Sequence, residues 1–306
     1  MAGRFAPSPT GELHLGNLRT ALVAWLAARS TGRDYLVRME DLDRVTSAAE
    51  HEQRQLDDLA ALGLDWDGPV LRQSDRFDLY RVEIDRLVDG GFVYHCYCSR
   101  REIRAEIEAA ASAPHVHLPD GAYPGTCRDL TRADRAEREA AGRRPAIRLR
   151  TDGQVVAVED RVVGRYEGAV DDVVLARADG VPAYNLAVVI DDAAQGVSQV
   201  VRGDDLLTST PRQILLQRLL DLPTPEYLHV PLVHGDEGRR LAKRDGAVTI
   251  GELQEEGWAV ADVVSVLARS LGLATPGERV TADRLVDRFD PTTMLRDPTR
   301  LSDLQR

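Results

Sequence analysis

Cysteine is scarce in this sequence. Cys96, Cys98 and Cys127 are the only three in 306 residues, and an odd count in a chain this long argues against a disulfide framework as the basis of the fold. A metal site or simple buried thiols remain. No apolar run approaches the roughly 18 residues that a membrane-spanning helix requires. The segment Met1 to Pro9 lacks the basic-then-apolar layout of a signal peptide, so the cytoplasm is the expected location. There is no internal repeat and no low-complexity segment. Positive charge is also short. The net charge of −11 argues against a general nucleic-acid binder, which is usually basic.

What is present describes an ordinary globular chain. Hydrophobic residues make up 43% and charged residues 29%, enough for one large domain or two to three smaller ones around a substantial core. Charge is uneven. From Arg128 to Arg150 eight arginines (128, 132, 135, 138, 143, 144, 148, 150) face four acids (129, 134, 137, 139), a local excess of +4. By itself this reads as a solvated arginine-rich helix, and it is also a candidate surface for steering RNA.

Residues Gly3–Ser8 read as a short strand entering a turn punctuated by Pro7, Pro9 and Gly11. The spacing of Leu18, Ala21, Leu22, Trp25 and Leu26 predicts a helix from about Asn17 to Ser30, stopped by Gly32. Asp34–Met39 reads as a strand and Ala48–Leu62 as a second helix. This alternation predicts a parallel sheet with helical crossovers. After Tyr94 the pattern breaks. Residues from Cys96 to about Ile147 are polar, rich in Arg and Glu, and hold all three cysteines. They read as an inserted subdomain. Strands are expected again at 146–150, 155–163, 172–177, 197–201 and 227–233, with a helix at Thr210–Leu220 opened by Pro211. From Ile250 onward the chain reads as helical.

Two segments carry chemistry. The run from Arg4 through His14, Gly16 and Asn17 places a glycine and a histidine where the first strand meets the first helix. A helix start offers free N–H groups and a positive dipole end to phosphates. Gly16 lets a nucleotide approach the backbone, and His14 can donate to a phosphate oxygen as charge builds. A basic loop, Gly238 to Gly246, holds Lys243, which can neutralise a triphosphate. Taken singly, each segment is more often an ordinary loop.

Together these residues resemble the glutamyl-tRNA synthetases of the class I aminoacyl-tRNA synthetase family. His14-Leu15-Gly16-Asn17 stands where that class has its "HIGH" sequence, and Arg240-Leu241-Ala242-Lys243-Arg244 where it has its "KMSKS" loop. In the loop only Lys243 is unchanged; Arg240 keeps the charge, while Ala242 and Arg244 replace hydroxyls. Arg38–Arg44, Pro182–Asp192 and Val201–Leu207 resemble the family's substrate-pocket segments, in family order. The resemblance implies a Rossmann-like parallel-sheet catalytic domain whose halves, 1–94 and 166–248, flank an insertion, 95–165, with a helical region at 249–306 and no anticodon-binding domain. It implies His14, Gly16 and Lys243 as catalytic groups, with Asn17 joining them at ATP. It further implies Arg4, Phe5, Ala6, Pro7, Ser8, Glu40, Tyr184 and Arg202 around glutamate. Arg4 or Arg202 would take the side-chain carboxylate as a bidentate fork, and Glu40 the ammonium.

Ending near where the anticodon-reading domains of full-length relatives would begin, the chain is similar to the family's short paralogues, the glutamyl-queuosine tRNA(Asp) synthetases. These activate glutamate without tRNA and attach it to queuosine in the anticodon of tRNA(Asp). That resemblance implies ATP, glutamate and tRNA(Asp) as partners, magnesium with ATP, a monomer, and one structural zinc ion held by Cys96, Cys98, Tyr123 and Cys127. His95, His115 and His117 are the conventional rivals for the fourth ligand. Two alternatives stay open: a truncated enzyme charging the 3′ end of tRNA, and a non-catalytic paralogue that binds a small molecule or RNA.

Overall fold

The computed structural model describes residues 1–110, 122–234, 248–294 and 299–300. In chain order the elements that matter here are β1 (Ala2–Phe5), α1 (Leu15–Arg29), β2 (Asp34–Met39), α2 (Ala49–Ala61), β3 (Leu71–Arg72), α3 (Phe77–Asp89), β4 (Val93–Cys96), α4 (Arg100–Ala110), α5 (Arg132–Ala140) and β5 (Ala146–Leu149). They continue with β6 (Val155–Asp160), β7 (Gly164–Ala169), β8 (Val174–Ala176), α6 (Tyr184–Ala194), β9 (Val197–Gly203), α7 (Thr210–Leu219), β10 (Glu226–Val230), β11 (Val233–His234), α8 (Ile250–Glu255) and α9 (Val260–Ser270).

The main sheet has the order β3-β2-β1-β9-β10-β6-β7. Its neighbours run parallel except for the closing β6–β7 hairpin. From β1 the chain steps outward through β2 to β3 on one side; β9 and β10 step away on the other. The gap between the carboxyl ends of β1 and β9 is therefore a switch point, where open parallel sheets bind ligands. The expected α/β architecture is the one observed.

Helices cover both faces. Below the sheet, β1 and β2 pack against α1, and α1 against the C-terminal helices, with Leu18, Leu22, Leu26, Val264 and Leu267 in one apolar cluster. On the other face α3, α6 and α7 contribute Tyr80, Leu186, Val189 and Leu216 to a second cluster. Eleven residues of α1 are buried, which explains its lack of a polar face: it is a central helix and not a surface one. One of the eleven is Arg19. Its Nη1 donates to Pro231 O at 2.6 Å, its Nε to Ser270 Oγ at 2.9 Å and its Nη2 to Ser270 O at 3.3 Å. Burial, partly offset by Asp204, pulls its pKa down to about 10.

A small antiparallel sheet, β4-β5-β8, roots the insertion. The segment between β4 and β5 carries α4, α5 and the cysteines. Within the expected insertion, residues 95–165, β6 pairs with β10 and belongs to the main sheet. Conversely β8, from the expected second half, completes the small sheet. The joint is buried Asp172, which accepts from Tyr94 Oη at 2.6 Å, from Arg128 Nε at 2.8 Å and Nη2 at 2.6 Å, and from Thr151 N at 3.0 Å.

Candidate active site and metal cluster

His14 is the N-cap of α1. Its Nδ1 accepts from Gly16 N at 3.1 Å and Asn17 N at 3.3 Å, while Asn17 Oδ1 accepts from His14 N at 3.3 Å. This reciprocal box satisfies donors that a helix start otherwise leaves open. An accepting Nδ1 puts the neutral ring's proton on Nε2, the form suited to donate to a phosphate oxygen. Gly16 has a second reason to be glycine: a Cβ there would meet the His14 ring at 3.0 Å. Val248 and Thr249 sit beside this turn, since Leu15 N donates to Val248 O at 3.0 Å and His14 bridges to Thr249. Arg240 to Arg244, with Lys243, lie outside the described residues.

A cavity of about 920 Å³ opens at the switch point. Every described residue expected at ATP or glutamate lines it: Arg4, Phe5, Ala6, Pro7, Ser8, His14, Gly16, Asn17, Glu40, Tyr184 and Arg202. The strands explain this. Arg4 and Arg202 are the last residues but one of β1 and β9, and Glu40 directly follows β2, so three charged groups from the ends of adjacent strands face one space.

Their partners differ. Arg4 Nε donates to Asp192 Oδ1 at 3.1 Å and its Nη1 to Val201 O at 3.2 Å. Arg38 Nη1 donates to the same Asp192 oxygen at 2.7 Å, and its Nη2 meets Glu40 at 3.3 Å. Burial opposes charge on Asp192, but Arg38 and Arg4 hold its carboxyl below the ordinary range. Burial lifts the Glu40 carboxyl above its ordinary range even beside Arg38 and Arg4. Arg202 is buried and, among the described residues, forms no ion pair; it donates to His229 Nε2 at 3.1 Å, Gln213 Oε1 at 2.7 Å and Thr210 Oγ1 at 2.8 Å. Glu40 and Arg202 are thus not a structural ion pair. Sequence reasoning gave no roles to Arg38, Asp191, Asp192, Asp160 or His229. Asp191, fully buried, accepts from Arg76 Nε at 2.6 Å, Tyr80 Oη at 2.7 Å and Gln73 Nε2 at 2.9 Å. The signal was a pair of acids in an otherwise apolar helix, α6.

A second cavity of about 830 Å³ shares Ser8, Glu40 and Tyr184 with the first and reaches Cys96 and Cys98. The three Sγ atoms lie within 4.8 Å of one another. Tyr123 Oη is 3.4 Å from both Cys96 Sγ and Cys98 Sγ and accepts from Cys127 N at 2.9 Å. Four donors about 2.3 Å from a tetrahedral ion would be spaced close to 3.7 Å apart, so this set fits a closed metal site. Tyr97 N donates to Cys127 Sγ at 3.4 Å. Burial and neighbouring thiols push the Cys98 thiol up to about 12. Burial also opposes ionisation of Cys127, yet the Tyr97 amide and Tyr123 bring it below its ordinary value. His95 alternates out of the cluster: on β4 it is exposed while Tyr94 and Cys96 point inward. His115 and His117 lie outside the described residues. Of the arginine-rich segment, Arg128, Arg143 and Arg150 are held by Asp172, Glu102 and Asp129.

A capped helix start beside a charged cavity at the switch point of a parallel sheet defines a nucleotide-binding α/β enzyme. The family described as tRNA synthetases class I (E and Q), catalytic domain, matches residues 1–297, and the chain belongs to it. It is a ligase of the aminoacyl-tRNA synthetase type. The glutamyl-Q tRNA(Asp) synthetase of Nocardia farcinica is 59% identical over 99% of this chain and 93% of its own length. Glutamate–tRNA ligase 1 of Alkalilimnicola ehrlichii is 44% identical over 94% of this chain and 60% of its own. A crystal structure of a glutamate tRNA ligase from Elizabethkingia meningosepticum with its amino acid superposes with a TM-score of 0.84 at 26% identity, covering 100% of this chain and 68% of that one.

Proposed function

We propose that this chain activates glutamate with ATP, without tRNA, and transfers it to queuosine in the anticodon of tRNA(Asp). The observation that carries the glutamate step is the set of charges around the first cavity. Arg202 is a buried cation whose described partners are all neutral, and a desolvated cation gains most from an incoming carboxylate. Glu40, whose carboxyl burial lifts above its ordinary range, gains from the approach of an ammonium. Amino acids with one acidic side chain match this pair of demands.

In the first step an α-carboxylate oxygen attacks the α-phosphorus of ATP, the bond to the bridging oxygen breaks, and pyrophosphate leaves with magnesium. The protein aligns the reactants and meets the charge on the phosphates. His14 does so through Nε2–H at the start of α1, Gly16 and Asn17 hold that turn, and Lys243 neutralises the departing phosphates. In the second step a hydroxyl oxygen attacks the adenylate carbonyl, AMP leaves and the hydroxyl proton is lost. The second cavity, joined to the first at Ser8, Glu40 and Tyr184, is a route by which that acceptor reaches the carbonyl. Zinc, held by Cys96, Cys98, Tyr123 and Cys127, would tie the insertion together with no open position for catalysis.

The names of close relatives support queuosine as the acceptor. On this reading the segments 1–94 and 166–248 form the catalytic domain, 95–165 receives the acceptor, and the enzyme works as a cytoplasmic monomer. The likeness to glutamate–tRNA ligases favours, as a second reading, charging at the 3′ end of tRNA. Glutamate-dependent ATP–pyrophosphate exchange without tRNA tests the proposal. Exchange with glutamate and not glutamine or aspartate supports it. Exchange that waits for tRNA(Glu) supports the second reading, and none under either condition marks a non-catalytic relative.

A further inference from the structure

Behind Arg202 stands a buried chain that reaches across three strands. Asp160, the last residue of β6, lies 2.6 Å through Oδ2 from His229 Nδ1 on β10, and both side chains are 0% exposed. His229 Nε2 in turn accepts from Arg202 Nε at 3.1 Å. A guanidinium can only donate. His229 must therefore accept at Nε2 and carry its proton on Nδ1, where Asp160 receives it. Asp160 is itself fixed, since its Oδ1 accepts from Val162 N at 2.9 Å and Val163 N at 2.8 Å. Burial, with Arg202 adding to it, holds the His229 pKa below its ordinary value despite Asp160.

The arrangement keeps a carboxylate near Arg202 but one imidazole away. Direct pairing would fill the guanidinium fork and set a resident anion in competition with substrate. Gln213 and Thr210, which occupy the remaining described contacts, are neutral as well. We propose that Asp160 and His229 are positioning residues that orient Arg202 and reserve its charge for the side-chain carboxylate of the amino-acid substrate, with Gln213 neutral for the same reason. The proposal rests on the glutamate reading above.

Two isosteric variants test it by opposite routes. In Asp160→Asn the amide turns a donor toward His229 Nδ1, so the ring presents Nε2–H to Arg202 and opposes it donor to donor. In Gln213→Glu a carboxylate meets Arg202 Nη1 and compensates the cation. Both are expected to raise the glutamate KM in pyrophosphate exchange at least ~10-fold, with the ATP KM within about twofold and kcat little changed. Gln213→Glu should also narrow discrimination against glutamine. Nitrogen-15 NMR of histidine-labelled parent protein, which needs no variant to fold, should show His229 neutral and protonated at Nδ1. A ring protonated at Nε2, or glutamate KM values unchanged in folded variants of an active parent, overturns the proposal alone. A parent with no glutamate-dependent exchange overturns the functional reading and this proposal with it.

Discussion

The backbone N–H of Gly16 donates to Nδ1 of His14 at 3.1 Å, so the residue after the helix start orients the ring before it. Adding a methyl group to Gly16 would place it 3.0 Å from that ring. Gly16→Ala should therefore turn His14 away from the cavity while improving intrinsic helix propensity by up to ~1 kcal/mol. The expected outcome is a fall in exchange kcat of about 10²-fold with no loss of thermal stability. A variant that loses stability and activity together would mean that Gly16 matters for packing and not for the ring.

Lys243 is the one lysine in the sequence. Amine-directed chemistry can thus address this one side chain in the unaltered protein. Reductive modification with pyridoxal phosphate should label Lys243 and the N-terminus alone, abolish exchange, and be blocked at Lys243 by ATP. Labelling that ATP does not block would separate Lys243 from the phosphates.

Metal analysis of purified protein should find about one zinc per chain, and Cys98→Ser should lower that content and the melting temperature of the insertion. Exchange should persist in the variant, because its charged groups line the other cavity. An unchanged zinc content would place the metal elsewhere.

Asp172 ties β4, Arg128 and Thr151 together. Burial opposes its charge, but Tyr94, Arg128 and Thr151 hold its carboxyl below the ordinary range. A carboxyl lowered on folding adds stability that is fully present above the unfolded value near 3.9 and is lost as pH falls through the folded one. Asp172→Asn should cost about 2–4 kcal/mol at neutral pH in urea unfolding and flatten the decline of stability below about pH 4. An acid limb identical to the parent's would assign that decline to other carboxylates.

The first third of the fold was legible because its signals are local. Predicted strand Asp34–Met39 is the observed β2, and the helix expected at Asn17–Ser30 is Leu15–Arg29. Ala48–Leu62 likewise corresponds to Ala49–Ala61. Helix α6 was not read as one, because its valine and isoleucine run looks like a buried strand until Asp191 and Asp192 find their arginines. The cavity's charged rim could be named from motifs, but its partner pattern could not. Arg4 and Arg202 are alike in sequence and differ in that Asp192 stands beside one and an imidazole beside the other. Such long-range pairings, 188 residues apart for Arg4 and Asp192, leave no periodic trace.

Arg19 reaches from the second turn of α1 to Pro231, the residue after β10, and to Ser270, the last residue of α9, and Val264 and Leu267 of α9 are buried in the same cluster as Leu18 and Leu22. The helices after residue 248 are therefore not a detachable appendage. Cutting the gene within 235–247 would yield two fragments, each exposing half of one interior. They should be insoluble when expressed apart and restore the enzyme when expressed together, which makes a cut between those positions suited to a two-part reporter.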